Sequence, residues 1–165
     1  MYYSRFFLGM IFAVVTAIAT ATNSTCKQPM ALPVSGIHHL KFPVSNINVS
    51  IDWYAAVMGA SRITTLDHIN SSGERYAVEM MMPSFGRTVL ELRLNPQQAS
   101  NDMMFDPVTW GVETKADLDA WASWLDAKTV PHSPVFVGVT GWVLAMQVSR
   151  LGQVLWSLNW SPSKA

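Results

Sequence analysis

From Ser35 the chain runs through a strand, a helix and three short strands, and from about Pro107 it runs through the same series again. An offset of 68 residues lays Leu40 on Val108, Phe42 on Trp110, Val44 on Val112, Trp53 on Trp121 and Val57 on Leu125. Those are the core-facing positions of strand and helix in both halves. At the closing strand, VLEL (89–92) lies on VLWS (154–157) at an offset of 65, a slip that loop length absorbs. A unit this small cannot bury its sheet alone, so two must pack together. The expected fold is therefore α+β, with two tandem βαβββ modules, residues 34–95 and 104–161, forming a cupped mixed sheet.

The local signals agree. In the first half Ile37 to Val44 is β-rich, Ser45 or Asn46 can cap a helix carrying Ile47, Ile51, Tyr54 and Met58 on one face, and Gly59 ends it. Strands are expected at 62–67, 76–82 and 88–94, separated by Asn70-Ser71-Ser72-Gly73 and Pro83-Ser84-Phe85-Gly86. In the second half a strand over 107–112 precedes a helix capped by Thr114 with Asp117 placed for a capping box, and strands follow at 135–137, 142–148 and 153–159.

Strand alternation then sorts the polar residues. With Leu40, Phe42 and Val44 facing the helix, His39 and Lys41 face the other side of the sheet, and His38 does not. With Leu90, Leu92 and Leu94 in the core, Glu91 and Arg93 join His39 and Lys41 on that open face.

Two features bear on where the domain works. Residues 1–21 combine Arg5, an apolar run from Phe6 to about Ala19 and small residues suited to cleavage, which reads as a signal peptide or signal-anchor. A linker, 22–33, follows. The expected route is secretory, with membrane anchoring by an uncleaved leader as the alternative. Cys26 is the sole cysteine, so no intramolecular disulfide can form and packing must hold the fold. Eleven basic residues are scattered among eleven acidic ones, which leaves no footprint for nucleic acid. The expected partner is a small-molecule substrate or ligand, and a homodimer is compatible with the pattern.

The order of these segments resembles the vicinal oxygen chelate superfamily, which includes glyoxalase I, bleomycin-resistance proteins and extradiol dioxygenases. HLKFPVSNINVSIDWYAAVMGA (39–60) is similar to that family's opening strand and helix, and TVLELRL (88–94) to the closing strand of its first unit. The resemblance implies a divalent metal ion held by one residue from the first and last strands of each unit. His39 and Glu91 match the first pair. The repeat alignment puts Pro107 and Trp156 where the second pair would stand, so only a metal half-site is expected, with Asp106, Gln147 or His132 as candidate third ligands.

His39 and Glu91 are thus expected either as metal ligands or as a catalytic acid/base pair, since burial beside a histidine can shift a carboxyl towards neutrality. Lys41, Arg93, Thr109, Trp142 and Trp156 are the expected substrate-binding residues, the tryptophans offering an apolar wall to the cup. The leading expectation is a glyoxalase-like enzyme moving a proton on a small apolar or aromatic secondary metabolite, as an isomerase, lyase or cyclase. The alternative is a non-catalytic binding protein of the bleomycin-resistance type. His68 and His132 are read as ordinary exposed histidines.

Overall fold

The computed structural model describes residues 37–148 and 154–161. The leader, the linker and the turn at Gly152 lie outside the described residues. Among those described, no helix is long and apolar enough to cross a membrane.

The first half is built from β1 (Leu40–Val44), α1 (Ile47–Met58), β2 (Ser61–Arg62), a 3-10 turn (Thr64–Leu66), β3 (His68–Ile69), β4 (Arg75–Met82) and β5 (Thr88–Leu94). Asn46 caps α1 by accepting from the Val49 amide, and Gly59 closes it at φ 64°, where a side chain would be strained. The strand expected over 62–67 is instead two short pieces broken by the 3-10 turn. Asp67 locks that break by accepting from the Arg62 guanidinium. The sheet runs β1-β5-β4-β2, with β3 also paired to β4. β1 lies parallel to β5, Leu40 opposite Leu90 and Lys41 opposite Glu91. β4 lies antiparallel to β5, which sets Glu79 directly across from Glu91.

A short helix, α2 (Pro96–Asn101), which the sequence pattern did not announce, leads to the second half. There β6 (Val108–Gly111), α3 (Lys115–Ala127), β7 (Phe136–Gly138), β8 (Gly141–Val148) and β9 (Val154–Trp160) form a second sheet ordered β6-β9-β8-β7. The Thr114–Asp117 capping box at the start of α3 is present in both its bonds. Gly141 is obligatory, because a Cβ there would meet the Trp160 carbonyl oxygen at 2.1 Å. The fold is mixed α+β, as expected, but as two sheets whose helix-side residues merge into one core.

Aromatic side chains join the halves. Trp156 meets Phe42 of β1 at 5.4 Å, Tyr54 of α1 at 5.7 Å and Trp110 of β6 at 5.6 Å between ring centroids. Phe85 meets Trp110 at 5.0 Å and Trp121 at 5.7 Å. The Trp124 indole donates to the Val57 carbonyl at 2.9 Å.

This overturns two of the expected substrate contacts. Trp156 is 0% exposed and stands on the helix side, not in the open face. Trp142 shares its side of β8 with Leu144 and Met146, packs against the core and lies under the Lys115 ammonium. The cause is register: Val108 pairs with Trp156 as Leu40 pairs with Leu90. The true offset of the closing strands is therefore 66, not 65, and the residue equivalent to Glu91 is Ser157. Trp156→Ala should accordingly cost about 3–5 kcal/mol of folding stability, measured by chemical denaturation; a cost below about 1 kcal/mol would show that Trp156 does not hold the halves together.

Candidate active site on the open face of the first sheet

His39 and Glu91 meet as the alternation requires, with His39 Nε2 3.4 Å from Glu91 Oε2. His38 is exposed and touches His39 through the Nδ1 atoms, 2.7 Å apart, with the two rings edge to face. Lys41 Nζ lies 3.1 Å from the same Glu91 Oε2. Arg93 reaches the other oxygen, Oε1, from Nε at 2.7 Å and Nη2 at 2.6 Å. The Glu91 side chain is only 1% exposed. Burial alone would raise its carboxyl, but the hydrogen bonds and charges of Lys41 and Arg93 together outweigh burial and hold it below the ordinary carboxylate range. That direction is opposite to the shift towards neutrality expected from the sequence. Glu91 is thus an ionised anchor.

The residue that the sequence reading missed is Glu79. It lies across one rung from Glu91 on β4, 8% exposed, with Oε1 3.5 Å from His68 Nε2. Its Oε2 is buried with no hydrogen-bond partner, and Glu91 Oε2 likewise accepts no well-aligned hydrogen bond. Like charges directly opposed on a ladder are unfavourable, and an unpartnered buried carboxylate oxygen more so. The signal was present: in RYAVEMMM one charge interrupts an apolar strand. His68, expected to be exposed, is half-buried against this glutamate.

A one-residue irregularity completes the face. His68 pairs with Ala77 but Ile69 with Arg75, which leaves Tyr76 as the extra residue. Its ring stands 5.6 Å from the His68 ring and 5.7 Å from the Arg93 guanidinium carbon.

The donor set fits a divalent cation. Ligand atoms of His39, Glu79 and Glu91 lie within 4.8 Å of one another, and imidazole with carboxylates is a common set for such ions. The buried Glu79 Oε2, which accepts no hydrogen bond from the described residues, is what a cation would satisfy. None of the three residues weighed earlier as a third ligand belongs to this cluster. Asp106 accepts from the hydroxyl of Ser157, the residue equivalent to Glu91. His132 is held by the Ser133 carbonyl and Asp126, and Gln147 borders a hollow beside Trp53 and Lys128.

Thr109 pairs with Ser157, lies on the face opposite Trp110 and is exposed. With Asn159, Thr140, Trp160 and Val139 it lines a groove of about 1240 Å³. That groove contains none of the buried charges. The chemistry is on the first sheet.

Because the Glu91 carboxyl is depressed, the stability it contributes is present above the ordinary carboxylate pKa and is lost as pH falls through the depressed value. Glu91→Gln should therefore lose more stability at pH 7 than at about pH 3.5, as urea denaturation at the two pH values would measure. An equal loss at both would mean that the ion pairs with Lys41 and Arg93 contribute nothing.

Residues 36–135 match the family model described as Glyoxalase/Bleomycin resistance protein/Dioxygenase superfamily. No curated protein sequence matches the chain significantly. Among solved structures, the fosfomycin resistance protein FosX from Listeria monocytogenes superposes with a TM-score of 0.60 at 12% identity, covering 80% of this chain and 98% of its own. Another structure of FosX is a complex with Mn(II) and sulfate. Lactoylglutathione lyase from Agrobacterium tumefaciens gives 0.55 at 16%, covering 78% and 96%. TnmS3, an antibiotic binding protein from Streptomyces sp. CB03234, gives 0.61 at 17%, covering 79% and 99%. At these identities the structures attest the fold. With a family model spanning more than half its length, the chain belongs to the Glyoxalase/Bleomycin resistance protein/Dioxygenase superfamily.

Proposed function

We propose that the protein is a glyoxalase-like enzyme that moves a proton on a small metabolite, as a lyase or isomerase does, on the open face of the first sheet. The observation that carries this reading is the Glu79–Glu91 rung. One carboxylate is neutralised by Lys41 and Arg93, and the other is buried with an oxygen that nothing occupies. Two like groups in unlike surroundings take unlike roles.

Glu79 accepts the proton in this account. A C–H beside a carbonyl gives its proton to a Glu79 oxygen, its electron pair moves to the carbonyl oxygen as an enolate, and the proton returns at the neighbouring atom. Arg93, on the same face of the sheet, provides an N–H donor to the developing oxyanion. Glu91 stays ionised and fixes His39 and Arg93 in place. His39, Glu79 and Glu91 would hold a divalent cation, which supplies Lewis acidity to a substrate oxygen when bound. A carboxylate has two oxygens, so Glu79 can share a cation and still take a proton.

The groove beside Thr109 favours a second reading, a binder of an apolar or aromatic compound. Its wall joins Trp160, Val137 and Val139 to the polar Asn159 and Thr140, the mixture that holds a drug-sized ligand. Residues 1–21, as a leader, support a secretory setting for either activity, with membrane anchoring as the alternative.

Deuterium exchange separates the two. In D2O, with a panel of α-hydroxy ketones and aryl ketones followed by NMR, the enzyme reading expects exchange at the carbon next to a carbonyl. Glu79→Gln should slow it by about 10²-fold or more. No exchange with any compound, alongside saturable binding of an aryl ketone that Asn159→Leu weakens, would overturn catalysis in favour of binding.

A further inference from the structure

Positive charge is distributed unevenly over the Glu79–Glu91 rung. Arg93 takes Glu91 Oε1 through two nitrogens, and Lys41 Nζ takes Oε2 at 3.1 Å, the oxygen that also faces His39 Nε2. Across the rung, among the described residues, Glu79 has only His68, 3.5 Å from Oε1, and its buried Oε2 accepts no hydrogen bond. We propose that His39, Glu79 and Glu91 make a divalent-cation site complete within the first half of the chain, and that the Lys41 ammonium is its internal competitor, occupying Glu91 until an ion takes its place. The proposal rests on reading this face as the working site.

Three observations carry it. The ligand atoms lie within 4.8 Å of one another, a spacing that one ion with bonds of about 2.0–2.2 Å bridges after a small closure. Glu79 Oε2, which accepts no hydrogen bond from the described residues, and Glu91 Oε2, held by Lys41 at 3.1 Å, belong to residues more than nine-tenths buried and share the rung. The second half offers Pro107 and Ser157 at the equivalent positions, the latter committed to Asp106, so it cannot duplicate the His–Glu pair.

Lys41 is suited to yield. Its side chain is 53% exposed on a flexible stem, so the ammonium can swing into water at small cost when an ion arrives. Arg93 is fixed at Oε1 by a planar two-donor contact and leaves Oε2 free. Glu91 therefore stays ionised and paired in both states. The donor set, one imidazole with two carboxylates, suits Mn(II) and ions of similar hardness over soft thiophilic ones.

Mn(II) titration by calorimetry and by loss of the free-ion EPR signal tests this without reference to turnover. Lys41→Met and Lys41→Gln, at a half-exposed position, should tighten Mn(II) binding by roughly tenfold or more. Both should lower the melting temperature of the metal-free protein and recover more of it on adding Mn(II) than the wild type does. Glu79→Gln should weaken binding by roughly tenfold or more. Equal affinity in the wild type and both Lys41 variants would overturn the competition, and equal affinity in the wild type and Glu79→Gln would overturn the site. Loss of deuterium exchange with these affinities intact would strike the catalytic reading alone.

Discussion

Two carboxylates opposed on one rung of a buried ladder, Glu79 and Glu91, set the terms for everything around them. Such a pair is unfavourable unless positive charge is supplied, and among the described residues the lysine and arginine contacts all go to Glu91. The parallel pairing of β1 with β5 delivers Lys41 opposite Glu91, and the next open-face position of β5 delivers Arg93. The Tyr76 irregularity in β4 then turns an aromatic ring to the His68 and Arg93 that flank the rung. The stability of this face and its chemistry therefore depend on the same few ion pairs.

The second half shows what the same scaffold does without that rung. Its open face keeps a polar pair, Asp106 with Ser157, and a groove lined by threonines, Asn159 and Glu113. Its helix side has become the more heavily aromatic, with Trp110, Trp121, Trp142 and Trp156 against the shared core. One half carries the charge and the other carries the weld between modules. That division explains why Trp156, attractive as ligand-binding surface, is unavailable to a ligand.

Much of this was legible from residues alone. The repeat of Leu40, Phe42 and Val44 in Val108, Trp110 and Val112 fixed the two-module plan, and alternation alone brought His39, Glu91, Lys41 and Arg93 to one face. Three things were hidden. Glu79 was concealed because the pairing partner of a strand is a tertiary fact, and nothing local says that Glu79 stands across from Glu91. Trp156 was misassigned because a one-residue error in aligning the closing strands moves every side chain to the other face. The Glu91 shift was misjudged in sign because burial was visible in the pattern, whereas two cations converging on one carboxylate are visible only in three dimensions.

The central claim is that the first sheet alone builds the charged site, with the buried rung as its centre. Anomalous diffraction at the manganese edge, from crystals of the protein grown with Mn(II), measures this most directly. The account predicts one strong peak among His39, Glu79 and Glu91, with the Lys41 ammonium swung away from Glu91 and Arg93 still bound to it. A peak ligated by Asp106 or other second-half residues, or crystals in which Lys41 remains on Glu91 and no peak lies on the rung, would contradict it.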